Sequence, residues 1–114
     1  MDTPHPLPDP LVELIAQRFR VLGEPMRIRL LDALREGDCT VGTLTERLGA
    51  SQQNVSKHLA VLHQAGIVRR TKQGTFVHYA IADDSVFGLC DEVCGGLRHQ
   101  ADRLDHILAG EVAA

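Results

Sequence analysis

Three sets of residues in this chain have types and spacings that could do chemistry. In "FGLCDEVCGG", Cys90 and Cys94 lie four residues apart, so on a helix both sulfurs share one face about a turn apart. That spacing leaves three readings open: a soft-metal clamp, a redox pair, or two small apolar residues packed in a core. A disulfide within one helical turn is disfavoured, because the Cα atoms sit about 6 Å apart with near-parallel side-chain vectors. Farther on, His99, Asp102 and His106 run at i, i+3 and i+7. Their nitrogen and oxygen donors suit nickel, cobalt or zinc; the alternative is the polar face of a surface helix. The third set is cationic. Residues 47–82 contain Arg47, Lys57, Arg69, Arg70 and Lys72 and no Asp or Glu. Residues 1–46 hold eight acids and five bases, and residues 83–114 seven acids and two bases. The net charge of −3 argues against nucleic acid, but its distribution describes a local anion-binding surface on an acidic protein. No nucleophile–base pair, phosphate-cradling glycine loop or paired-carboxylate signature is present, so an enzyme is not expected.

The elements that must position these residues can be read from periodicity. At 114 residues with 44% hydrophobic and 4% aromatic content, one small domain with an aliphatic, mainly helical core is expected. The opening "MDTPHPLPDP" holds four prolines and reads as a flexible leader over residues 1–9; it lacks the pattern of a secretory signal. No apolar run approaches the ~20 residues of a membrane span, and three unevenly spaced cysteines do not form a disulfide framework. A cytoplasmic protein with reduced thiols is expected. Residues 11–23 carry Leu11, Leu14, Ile15, Phe19 and Leu22 on one helical face. A second helix starts at Pro25 and buries Met26, Ile28, Leu30, Leu31 and Leu34. A third, "TVGTLTERLG", is capped near Cys39 or Thr40 and ends at Gly49. A fourth starts from the N-cap Ser51 and buries Val55, Leu59 and Leu62. The short "GA" between them makes a helix-turn-helix over residues 40–65. Residues 67–82 switch to strand periodicity around a "KQGT" turn, giving a small basic hairpin, or wing. Residues 83–109 form the longest helix, capped by Asp83 or Asp84, with Val86, Leu89, Cys90, Val93, Leu97, Ala101, Leu104, Ile107 and Leu108 on its apolar side. Gly95 and Gly96 interrupt that side and suit close approach of another helix. A chain this small cannot cover both its first and last helices, so a homodimer through these two is expected.

The phrases "LGEPMRIRLLDALREG", "TVGTLTERLGASQQNVSKHLAVLHQAGIVRR" and "GTFVHYAI" resemble the ArsR/SmtB family of bacterial winged-helix repressors, over about residues 10–108. The resemblance implies a mainly α fold of about five helices with a β-hairpin wing. It also implies a homodimer on a near-palindromic double-stranded operator, repression of transcription, and release from DNA on sensing a metal or another stress. It makes the fourth helix the recognition helix. Ser51, Gln52, Gln53, Ser56, Lys57 and His58 then belong at base edges and phosphates, with glutamine able to pair bidentately with adenine. Arg69, Arg70, Lys72 and Thr75 belong on the backbone. Thr43 and Thr45 are weaker phosphate candidates.

The sensor sites of the family map incompletely. At one thiolate site this chain has Thr40 and Gly42. At the terminal-helix site it has Asp83, Ser85, Gly96 and His99, of which only Asp83 and His99 are donors. The leading expectation is a nickel, zinc or cobalt site using Asp83, His99, His106 and His5. The alternatives are a thiol-based sensor of arsenite, cadmium or oxidants at Cys90 and Cys94, and a winged-helix protein acting mainly through a second protein.

Overall fold

The computed structural model describes residues 2–110. The chain divides into two compact units, one ending at Asp83 and one beginning at Asp84.

The first unit opens with α1, Asp9–Leu22, one residue inside the expected leader. Pro8 is the N-cap and Pro10 lies in the first turn, where a missing N–H breaks no helical hydrogen bond. The Gly23 N–H closes the helix on the Phe19 carbonyl at 2.8 Å. Next, α2 covers Pro25–Leu34, with the Glu24 carboxylate accepting the Arg27 N–H at 3.1 Å. Its inner face is Leu30, Leu31 and Leu34; Ile28, expected inside, is 46% exposed.

After α2 comes a strand that the sequence does not announce, β1, Cys39–Thr40. Thr40 is also the N-cap of α3, Val41–Leu48: its hydroxyl oxygen accepts the Thr43 N–H at 3.2 Å. Helix α3 ends at Gly49, whose φ of 61° is left-handed and costs a glycine no steric strain. Helix α4, Gln52–Gln64, begins from Ser51, whose hydroxyl accepts the Asn54 N–H at 3.2 Å.

The wing is β2, Val68–Gln73, against β3, Phe76–Ile81. The sheet order is β1-β3-β2, with Cys39 opposite Tyr79 and Val68 opposite Ile81. The expected four-residue turn is tighter. Gln73 pairs with Phe76, so only Gly74 and Thr75 cross over, and Gly74 has φ 63°. A positive φ at the first of two loop residues is what a type II′ hairpin needs. Ile67 precedes the strand, and its carbonyl accepts the Ala82 and Asp83 N–H groups at 2.9 and 3.1 Å.

The core of this unit lies where α2, α3, α4 and the sheet meet. Leu30, Leu44, Val55, Leu59, Leu62 and Ile67 are all at 0% exposure, and burial of each side chain is worth about 1.5–3 kcal/mol.

The second unit is α5, Ser85–Leu108, continuous through Gly95 and Gly96. Asp84 is its N-cap, but its side chain makes no capping hydrogen bond. Val93, Leu97, Leu104, Ile107 and Leu108 are each more than half exposed. A Cβ placed on Gly95 or Gly96 meets nothing within 4 Å. Among the described residues no helix is long and apolar enough to cross a membrane.

Candidate nucleic-acid interface

The candidate recognition face follows from what α4 buries. Val55, His58, Leu59 and Leu62 face inward. At 100° per residue, the opposite side of the helix carries Gln53, Lys57, Ala60 and Gln64, all exposed. Gln52 is exposed and Ser56 half-buried beside this stripe. The candidates Gln52, Gln53, Ser56 and Lys57 therefore sit together on one accessible side of α4. Ser51 is engaged as the N-cap. The Thr45 hydroxyl donates to the Val41 carbonyl at 2.8 Å, and Thr43 accepts from the Thr40 hydroxyl at 3.1 Å. Both are held by their own helix.

His58 does not belong to that face. It is 7% exposed, with Nδ1 3.2 Å from Arg27 Nη1 and 3.7 Å from Glu24 Oε2. The expected DNA contact is corrected to a buried contact with α2. Its position three residues after Val55 and four before Leu62 puts it on the apolar side. The partner that satisfies its polarity lies 31 positions away, beyond the reach of any local pattern. The Glu24 carboxyl at this junction titrates below its ordinary value of 4.5. Desolvation pushes it up, but the Arg27 N–H, the facing His58, the Met26 N–H and the Arg27 charge together outweigh that.

On the wing, Arg69, Arg70, Lys72 and Thr75 are exposed. Alternation along β2 divides them between two sides. Arg70 and Lys72 lie opposite Tyr79 and Val77, whereas Arg69 lies opposite Ala80. The cationic segment is also smaller than its count suggests. Arg47 pairs with Glu36 at 3.6 Å and donates to Cys39 Sγ at 3.7 Å. Lys57, Arg69, Arg70 and Lys72 make no ion pair among the described residues. These four are the cations left for an outside anion.

The sensor candidates are distributed differently. Cys39 is buried, whereas Cys90 and Cys94 are exposed on α5, so the reading of the pair as residues packed within the chain's own core is corrected. The cause is the uncovered apolar side of α5. His99, Asp102 and His106 lie on the same helix, while His5 and Asp83 belong to the first unit. Among the described residues, no three His, Cys, Asp or Glu side chains come together as a metal-holding group.

Residues 24–70, from the cap of α2 to the second arginine of the wing, match the model of the bacterial regulatory protein, arsR family. The chain is 33% identical to the transcriptional repressor SdpR of Bacillus subtilis over 55% of its own length and 70% of SdpR. The chain belongs to the arsR family. Within this family it is also 36% identical to the HTH-type transcriptional regulator KmtR of Mycobacterium tuberculosis, over 73% of the chain but only 64% of KmtR. Among solved structures, M. tuberculosis Rv0081 superimposes with a TM-score of 0.74 at 35% identity, covering 85% of this chain and 99% of that one. Fold and family are thus those of winged helix-turn-helix transcriptional regulators rather than of enzymes.

Proposed function

We propose that this arsR-family chain is a sequence-specific DNA-binding regulator, a repressor, that works as a homodimer in the cytoplasm. The observation that carries the reading is the exposed Gln53–Lys57 side of α4, set in a segment whose remaining cations, Arg69, Arg70 and Lys72, are exposed on the wing and make no ion pair among the described residues. The glutamines read base edges in the major groove, and the wing cations hold phosphate. A second copy covers the apolar residues that the chain leaves open: Val12, Leu14 and Phe19 on α1, and Leu97, Leu104 and Ile107 on α5. Two copies related by a two-fold axis read a near-palindromic operator.

The effector acts on α5. Cys90 and Cys94 are exposed on one turn of a single chain and suit soft, thiophilic species such as arsenite or cadmium. A nickel, zinc or cobalt site built on Asp83, His99, His106 and His5 needs donors gathered from both copies.

The test begins by selecting duplexes from a random-sequence library with the wild-type protein. Gln53→Ala should reduce affinity for the selected duplex about tenfold or more, the cost of one lost bidentate base contact, and leave random-duplex binding unchanged. Arg70→Ala should weaken both and lower the slope of affinity against salt by about one. Equal losses on both duplexes for Gln53→Ala would remove the base-reading role. Repeating the measurement with nickel, zinc, cobalt, cadmium and arsenite, on wild type and on a Cys90→Ser/Cys94→Ser variant, separates the two effector classes.

A further inference from the structure

The contact that removes His58 from the DNA face points to a different use for it. Arg27 is a hub: Nη1 lies 3.2 Å from His58 Nδ1, Nη2 donates to the Arg20 carbonyl at 3.2 Å, and Nε donates to the Val21 carbonyl. Those two carbonyls belong to the last turn of α1, where no helical N–H remains to satisfy them. One side chain of α2 therefore joins the end of α1 to the buried side of α4.

The contact with Arg27 asks for one state of the ring. A guanidinium only donates, so a hydrogen bond from Arg27 requires His58 Nδ1 to accept, as it does in the neutral ring with its proton on Nε2. Protonation places an N–H on Nδ1, facing another donor at 3.2 Å, and sets two positive groups against each other. The same nitrogen lies 3.7 Å from Glu24 Oε2, so the charged ring has an alternative partner on the same helix cap. Glu24 and Arg27 are the charged groups that face the ring, and among the described residues no ion pair reaches it from α1, α3 or the sheet. His58 follows directly on Lys57, about 100° farther round α4, so that Lys57 is exposed where His58 is buried.

We infer that Arg27 and His58 are positioning residues for DNA reading: the neutral ring, held by Arg27, sets the recognition helix, and protonation exchanges Arg27 for Glu24 and releases that setting. The inference rests on the DNA-binding reading above. It makes this regulator acid-sensitive through a group that never touches DNA.

The readout is selectivity, the ratio of affinities for the selected and the random duplex, because added positive charge at low pH strengthens binding to any duplex. As pH is lowered, wild-type selectivity should fall, at most about tenfold per pH unit for one coupled proton. His58→Gln keeps an acceptor for Arg27 but does not titrate, so its selectivity should stay flat. A wild type that selects a sequence but shares the variant's pH profile overturns the inference. A wild type that selects no sequence overturns the DNA-binding reading and the inference with it. Nitrogen NMR of the wild-type ring needs no variant: a neutral ring protonated on Nε2 supports the proposal, and one protonated on Nδ1 overturns it.

Discussion

Glu24 shows how much at this junction depends on a single proton. Its folded pKa is depressed, so the carboxylate contributes stability that is fully present above its unfolded value, near 4.5. That contribution is lost as pH falls through the lower folded value. The expected outcome is that Glu24→Gln lowers the melting temperature at neutral pH, and that the gap to wild type closes as pH falls through the acid range below that point. A gap that stays constant into that range would show that the carboxylate's charge is not what matters. Residue types were readable in the sequence here, but roles were not. Gln52, Gln53 and Lys57 could be placed because their exposure follows from the apolar positions beside them. His58 could not, because a histidine on the border of a helical stripe takes its role from whatever faces it, and Arg27 is far away in sequence. Likewise, Arg47 counts as a free cation until the fold brings Glu36 within 3.6 Å.

Helices were the most legible elements, for physical reasons that can be named. Pro25, Ser51, Gly49 and Gly74 each mark a boundary by what their backbone or side chain permits. Ser51→Ala should cost about 1 kcal/mol in urea unfolding, with an unchanged denaturant slope, because only the cap at the Asn54 N–H is removed. A loss indistinguishable from zero would mean that water replaces the hydroxyl without penalty. Thr40→Ala should cost more than the same change at Ser51, since Thr40 also lies in the sheet opposite His78. Strand β1 was illegible: two residues show no alternation, and the pairing partner is about forty positions downstream. Cys90 and Cys94 are exposed in the single chain, although they lie on or beside an apolar stripe, because such a stripe reports a wish to be covered, not the presence of a cover.

For the whole molecule that wish is the argument for two copies. Leu104→Asp changes a side chain that is 54% exposed, so the chain should fold as before. In sedimentation velocity the variant should run as a monomer where wild type runs as a dimer, and its affinity for the selected duplex should fall with the loss of the second half-site. A wild type that is monomeric at every accessible concentration would refute the dimer. The family and the winged helix-turn-helix were legible because their signals are local, whereas assembly depends on surfaces that no single chain resolves. Thr40 adds a mechanical constraint. One residue is at once the end of the strand that pairs with the wing and the cap of the helix that leads into the recognition helix. Helix α4, proposed to read bases, and the wing, proposed to hold phosphate, are thereby mounted on a common bracket. In the proposed dimer each copy then carries a gauge of fixed width, and fitting an operator is left to the angle and distance between two such gauges.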